Sequence, residues 1–284
     1  MLDIEVEVIQ ELAGDLATRL MARWPGLEVK TEENSVCFRL PLTEALDRNL
    51  KDFEETLQAL EKARGLNEEL YVRCRNLAGP DLGPEKLIIG RFLIRRPDVE
   101  VKPEPDQIVL ALEAGHAFGT GGHPSTALVL TALQEFYAPR PGCPSRANSR
   151  VLDAGTGSGI LALAAARLGG GPILAVDPLP EAVATARANA ALNDLSDRLE
   201  IVQTSAEKIT GRFDLVLGNL VPAVLLRTAK KLVPLLEAEG WLIVSGFADS
   251  QTHQVMAALT RAGLMAVKSY SRDGWGALSL TWAN

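Results

Sequence analysis

The residues most able to do chemistry stand in one short stretch, Asp153-Ala154-Gly155-Thr156-Gly157-Ser158-Gly159, and at one position beyond it, Asp177. Glycines at alternate positions leave the backbone bare, so a ligand can approach main-chain amides at the N-terminus of the helix that follows. Arg150-Val151-Leu152 ahead of the loop reads as a buried strand, and Ile160 to Leu168 behind it as an apolar helix. The next strand, Ile173 to Asp177, ends in a carboxylate 22 residues after Gly155. An acidic side chain placed there can accept the hydrogen bonds of a ribose diol; the competing use of Asp177 is a helix cap.

Two ligand classes use a glycine loop followed by a strand-end acid. Dinucleotides favour G-x-G-x-x-G, in which a pyrophosphate lies on the helix N-terminus. Here the spacing is G-x-G-x-G, and Asp153 precedes the first glycine by two residues. Its carboxylate would repel a pyrophosphate and attract an ammonium group. The expected cofactor is therefore S-adenosyl-L-methionine, with a dinucleotide-dependent oxidoreductase or a noncatalytic binding module as readings of another class. No metal is expected.

A second motif runs from Gly115 to Thr126, Gly-His-Ala-Phe-Gly-Thr-Gly-Gly-His-Pro-Ser-Thr, and leads into a helix starting near Ala127 that Ser125 or Thr126 can cap. A flexible linker seldom interleaves Phe118, His116, His123 and Thr120 with glycines, so the segment is expected to fold over the cofactor. This stretch resembles the A-F-G-T-G-x-H-x-S/T-T segment of PrmA, the bacterial methyltransferase family that modifies large-subunit ribosomal protein L-eleven. Val151 to Ala165 is similar to that family's V-L-D-x-G-C/T-G-S-G-I-L-A-I-A-A block, and Phe213 to Leu220 to its strand ending in Asn-Ile-Leu. The similarity spans residue 115 to about residue 250, and the first block is its specific part.

The resemblance implies a class I S-adenosylmethionine-dependent methyltransferase acting on lysine or amino groups of a ribosomal protein. It places Thr126, Gly155, Asp177 and Asn219 on cofactor-contacting positions, with Phe118, Gly119 and Thr120 lining the same pocket. Asp153, Thr156, Gly157 and Gly159 complete the expected cofactor-binding set. The chain departs from the family pattern at Ala114, usually Pro, at Pro178-Leu179, usually Ile-Asp, and at Leu220-Val221-Pro222, commonly Ile-Leu-Ala.

Methyl transfer from a sulfonium is an in-line displacement, which asks for alignment and exclusion of water and not for a strong base. An amine acceptor must be neutral, and oxygen acceptors at the end of the fourth strand, Asn219 and the carbonyls after it, could orient it. His116 and His123 read as packing or hydrogen-bonding residues, His253 as a surface residue, and Ser205 as either an adenine neighbour or a plain loop residue. No Asn-Pro-Pro-Tyr or Asp-Pro-Pro-Tyr stretch stands near Asn219, which argues against relatives directed to amides or DNA amino groups. A small molecule or RNA is the alternative acceptor.

The elements that must position these residues are legible around them. Helices and strands alternate from Ser125 onward: helix 127–136, strand 150–154, helix 160–168, strand 173–177, helix 181–192, then strands at 199–203, 213–219 and 241–247 and a final pair near 266–270 and 277–282. Such alternation means an α/β, doubly wound Rossmann-like sheet, with a hairpin at Gly274-Trp275-Gly276. The first 75 residues follow another order. Asp3 to Ile9 alternates as a strand, Leu12, Leu16, Leu20 and Trp24 recur at helical spacing, and two short strands flank Glu32-Glu33-Asn34. A second helix runs from Thr43 to about Gly65, and a last strand from Leu70 to Cys74. This βαββαβ order is that of a smaller α+β ferredoxin-like domain. The expected organisation is a substrate-recognition domain over 1–75, a proline-rich linker over 76–106 whose short strands join the next domain's edge, and a cofactor-binding domain over 107–284.

With 284 residues, 47% apolar and 23% charged, the chain suits two domains with self-sufficient cores. No apolar run approaches a membrane span, and an acidic N-terminus differs from a signal peptide, so a cytoplasmic protein is expected. Cys37, Cys74 and Cys143 are too scattered for a disulfide framework or a zinc site. The net charge is −7, and residues 1–75 hold 16 acidic against 10 basic side chains. A basic protein partner suits that balance better than nucleic acid, and neither membrane nor direct nucleic-acid binding is expected.

Overall fold

The computed structural model describes residues 2–7, 10–32, 35–40, 52–53, 56–57, 59–60, 71–75, 85–113, 121–139, 141–142 and 145–283. The chain divides into two compact units, Met1–Gly79 and Pro80–Asn284.

In the first unit, β1 (Leu2–Glu7), α1 (Gln10–Arg23), β2 (Val29–Glu32), β3 (Ser35–Leu40) and β4 (Tyr71–Arg75) are joined by helical residues within 52–60. The sheet order is β2-β3-β1-β4, and every neighbouring pair is antiparallel. Leu12, Leu16 and Leu20 recur every four residues and so share one face of α1, which buries them against Val6, Val36, Phe38, Phe53, Leu57 and Leu60. Each fully buried leucine there contributes about 1.5–3 kcal/mol relative to exposure. Gly26, with φ of 90°, turns the chain out of the helix. The hairpin tip at Glu33-Asn34 and most of the helix expected over 43–65 lie outside the described residues.

The second unit begins with a three-stranded sheet, β5 (Lys86–Ile89), β6 (Phe92–Arg95) and β7 (Ile108–Ala111), antiparallel then parallel. Two of these strands fall within the stretch expected as a linker. There follow α2 (Pro124–Tyr137), β8 (Val151–Ala154), α3 (Ile160–Arg167), β9 (Ile173–Asp177), α4 (Pro180–Leu192), β10 (Leu199–Gln203) and β11 (Phe213–Asn219). The chain ends with α5 (Pro222–Leu232), β12 (Leu236–Ala248), α6 (Thr252–Arg261), β13 (Leu264–Arg272) and β14 (Trp275–Trp282). The seven-stranded order is β10-β9-β8-β11-β12-β14-β13, parallel through β12 and antiparallel on both sides of β14.

Side chains alternate across the sheet and bury both faces. Leu215 and Leu217 pack with Leu133, Leu163 and Ala186 of α2, α3 and α4, whereas Val216 packs with Leu225 of α5 and Leu259 of α6. The strand order reverses between β8 and β11, the place where doubly wound sheets open a crevice at their carboxyl ends. The last hairpin turns through Asp273 and Gly274, with φ of 50° and 80°. Two consecutive left-handed residues make a tight primed turn, one residue ahead of the expected site, so Trp275 begins β14. Among the described residues no helix is long and apolar enough to cross a membrane, and no acidic, histidine and cysteine side chains group as metal ligands.

Candidate active site

The glycine loop leaves β8 at the reversal point. Gly155 N and Thr156 N both donate to Val176 O, fastening the loop to β9. Gly155, Gly157 and Gly159 have φ of 74°, 54° and 83°, a region that favours glycine. Two of them also admit neighbours: a Cβ on Gly155 would stand 2.5 Å from Leu220 Cδ2, and one on Gly159 3.2 Å from Ala186 Cβ. Behind the loop, α3 buries every residue from Ile160 to Ala166, its alanines allowing a close approach to the sheet.

Asp153 is fully buried. Its Oδ2 accepts hydrogen bonds from Thr156 Oγ1 (2.7 Å) and Ala162 N (3.2 Å), while Oδ1 has no hydrogen-bond partner among the described residues. Burial pushes its pKa up to about 7, against the hydrogen bonds from Thr156 and Ala162 and with the repulsion of Asp177. Asp177 ends β9 and bridges two amides, Oδ2 accepting from Gly157 N and Oδ1 from Leu179 N, each at 3.0 Å. The cap residue of α4 is Leu179 and not Asp177. The carboxylate thus ties the middle of the glycine loop to the start of the next helix.

Asn219 ends β11. Its Nδ2 donates to Thr126 Oγ1 at 3.2 Å, and its buried Oδ1 has no hydrogen-bond partner among the described residues. Thr126 is fully buried in the first turn of α2. Neither it nor Ser125 is the cap expected from the sequence. His123 takes that place, its Nδ1 accepting from Ser125 N (3.2 Å) ahead of Pro124, whose missing N–H suits the first helical position. Burial lowers the pKa of His123 and favours the neutral ring that can accept; the ring meets Trp275 edge-on with centroids 4.4 Å apart. Ser205 caps the short turn Ala206–Lys208 through Glu207 N, and His253 is exposed on α6. His116, Phe118, Gly119 and Thr120 lie outside the described residues.

Two features of the site escape a reading of the sequence. Leu220 covers Gly155, donates its N–H to Ser245 O (3.0 Å), and rests its backbone on Gly246, whose φ is 96°. Asn189 of α4 and Asn193, the residue that ends that helix, are buried and reach the glycine loop and the end of β7. Their signal was two carboxamides four residues apart, one on a helix face otherwise made of Ala182, Val183, Ala186 and Ala190 and one just past its end.

The strand order with a glycine loop at its reversal point defines the Rossmann-like fold of methyltransferases. A family model described as ribosomal protein L11 methyltransferase (PrmA) matches residues 84–282. Proteins named ribosomal protein L11 methyltransferase from Pelobacter propionicus and Geobacter sulfurreducens are 42% and 43% identical to this chain, over 68% and 67% of it and 62% and 60% of their own lengths. The crystal structure of a ribosomal protein L11 methylase from Lactobacillus delbrueckii subsp. bulgaricus superimposes with a TM-score of 0.63 at 28% identity, over 71% of this chain and 100% of that one. The chain belongs to the ribosomal protein L11 methyltransferase (PrmA) family. It spans about three fifths of the length of the curated relatives it matches.

Proposed function

We propose that this chain methylates lysine or terminal amino groups of a ribosomal protein with S-adenosylmethionine as donor, the substrate being the L11 protein for which its relatives are named. One observation carries the reading. Two buried oxygens without hydrogen-bond partners among the described residues, Asp153 Oδ1 and Asn219 Oδ1, stand at the carboxyl ends of the adjacent strands β8 and β11. A buried acceptor left bare costs about 1–3 kcal/mol, so the crevice suits a ligand that brings N–H groups or positive charge and disfavours a pyrophosphate. S-adenosylmethionine has that character, and when bound it supplies an electrophilic methyl group.

In this reading Asp153, Gly155, Thr156, Gly157 and Gly159 hold the donor along the loop. Asp177 accepts from the ribose hydroxyls. Thr126, Phe118, Gly119 and Thr120 complete the proposed cofactor-binding set from the segment ahead of β8. A free lysine has a pKa of about 10.4, and burial lowers it toward the neutral, nucleophilic form. Asn219 Oδ1 then accepts a hydrogen bond from the neutral amine and aims its lone pair, while Thr126 fixes the other end of the carboxamide. His123 serves as no base, because its lone pair is committed to Ser125.

The first unit is assigned to substrate recognition. Its strand order and helical connections support a ferredoxin-like module, and its acidic excess over residues 1–75 favours a basic protein over nucleic acid, with 76–106 joining it to the cofactor-binding part. A ribosomal substrate places the enzyme in the cytoplasm. The test is incubation with methyl-labelled S-adenosylmethionine and two acceptors, unmethylated L11 and ribosomal RNA. Label in the protein is expected; label confined to RNA, or none in either, overturns the reading.

A further inference from the structure

Two asparagines, one on α4 and one at its C-terminal end, make a connection that filling the core does not require, since leucines would pack there without hydrogen bonds. Asn189 is fully buried; its Oδ1 accepts from Glu113 N and its Nδ2 donates to Ser158 O, both at 2.8 Å. One turn on, Asn193 Oδ1 accepts from Ala111 N (2.9 Å), and its Nδ2 donates to Ala111 O (2.6 Å) and to Asn189 O (2.7 Å). The Asn193 carboxamide therefore pairs with the end of β7 as a neighbouring strand would, and Asn189 takes the next alternate residue. Buried polar groups satisfied in this way fix direction and register where apolar contacts would not.

What they register is the cofactor loop. Ser158 belongs to that loop, and Glu113 is the residue from which the chain enters 114–120, the stretch holding Phe118, Gly119 and Thr120. On the far side of that stretch, a Cβ on Gly121 would stand 2.9 Å from Ile94 Cδ1 and 3.3 Å from Ile160 Cδ1, Ile160 being the first residue of α3. Both flanks of the stretch are thus anchored beside the glycine loop, at Glu113 by a hydrogen bond and at Gly121 by packing. We propose that Asn189, braced by Asn193, is a positioning residue of the cofactor site, holding the loop and the flank of the Phe118 segment in one register before the ligand arrives. The proposal rests on the S-adenosylmethionine reading above. Without the brace, part of that ordering falls to the ligand and weakens its binding.

Asn189→Leu keeps the volume and removes both side-chain hydrogen bonds. Leu259→Ala, on the opposite face of the sheet, serves as a destabilised control that touches neither Ser158 nor Glu113. Calorimetric titration with S-adenosylmethionine, run where both variants are folded, is expected to show about tenfold or greater weakening for Asn189→Leu and less than about twofold for Leu259→Ala. Unchanged affinity in Asn189→Leu, or an equal loss in the control, overturns the proposal. Should Asn189→Leu not fold, hydrogen exchange of the parent decides: saturation with S-adenosylmethionine is expected to slow the Glu113 and Ala111 amides together with the Gly157 amide. Exchange at Glu113 indifferent to the ligand overturns it. A parent that binds no S-adenosylmethionine overturns the functional reading itself, a result distinct from binding that is insensitive to Asn189.

Discussion

Replacing Asp177 with asparagine probes a loop brace and a ribose contact in one step. From the sequence alone asparagine would scarcely affect folding, since it is nearly isosteric and a good helix cap. The structure changes that expectation. Both carboxylate oxygens accept from backbone amides, Gly157 N and Leu179 N, each at 3.0 Å. Asparagine keeps one acceptor, so its NH2 group must face one of those N–H groups. Losing one charge-assisted bond of this kind costs about 1.5–3 kcal/mol. For a unit of roughly 200 residues, that lowers the melting temperature by about 3–12 °C. If a ribose hydroxyl also loses its acceptor, S-adenosylmethionine affinity falls about tenfold to a hundredfold. A thermal melt reads the first effect, and calorimetric titration well below both melting points reads the second. Asp177→Asn melting within about 1 °C of the parent would refute the loop brace; a lowered melt with affinity within about twofold would refute the ribose contact and leave the brace.

Asp153 links binding to pH. Its folded pKa of about 7 is raised from an unfolded value near 3.9, so the stability it contributes is full below about pH 4 and is lost as pH climbs through 7. A cationic ligand favours the ionised form, so S-adenosylmethionine affinity is expected to fall below pH 7, by at most about tenfold per unit; equal titrations at pH 6 and 8 contradict this. Asn219→Ala is expected to slow single-turnover methyl transfer about tenfold to a thousandfold by removing the acceptor for the amine, and an unchanged rate discards that role. His123→Ala should lower stability by about 0.5–2 kcal/mol through loss of the α2 cap, while His123→Asn restores most of it in denaturant titrations. Deleting residues 1–79 should spare cofactor binding and abolish methylation of the protein substrate, and full methylation by the truncated chain would contradict the assignment of that unit.

Sequence proved most informative where chemistry and structure are local. The path β8, glycine loop, α3, β9 was legible to within a residue or so because a buried strand, three glycines and an apolar helix follow one another without interruption. The start of α2 was misplaced because histidine is an uncommon cap and Pro124 hides the first turn. β7 was not separated from its surroundings, since a run of apolar residues as short as Ile108 to Leu112 has no distinguishing period. Partners distant in sequence were beyond reach. Asn219 meets Thr126 across 93 positions and Asn193 meets Ala111 across 82, distances bridged only once the strand order is known.

Leu220 is walled in by positions where bulk cannot be added. Gly155 and Gly246 both hold left-handed backbone, and a Cβ on the first would strike the Leu220 side chain while one on the second would strike its carbonyl. The trade in volume here therefore runs one way. Shortening Leu220 opens room beside the glycine loop, but a compensating enlargement is opposed at Gly155 by its left-handed backbone and at Gly246 by both its backbone and the Leu220 carbonyl. For anyone re-engineering the acceptor range, this corner is a ratchet: it can be emptied by a single codon change and refilled only by restoring the leucine or a side chain of similar size at the same position.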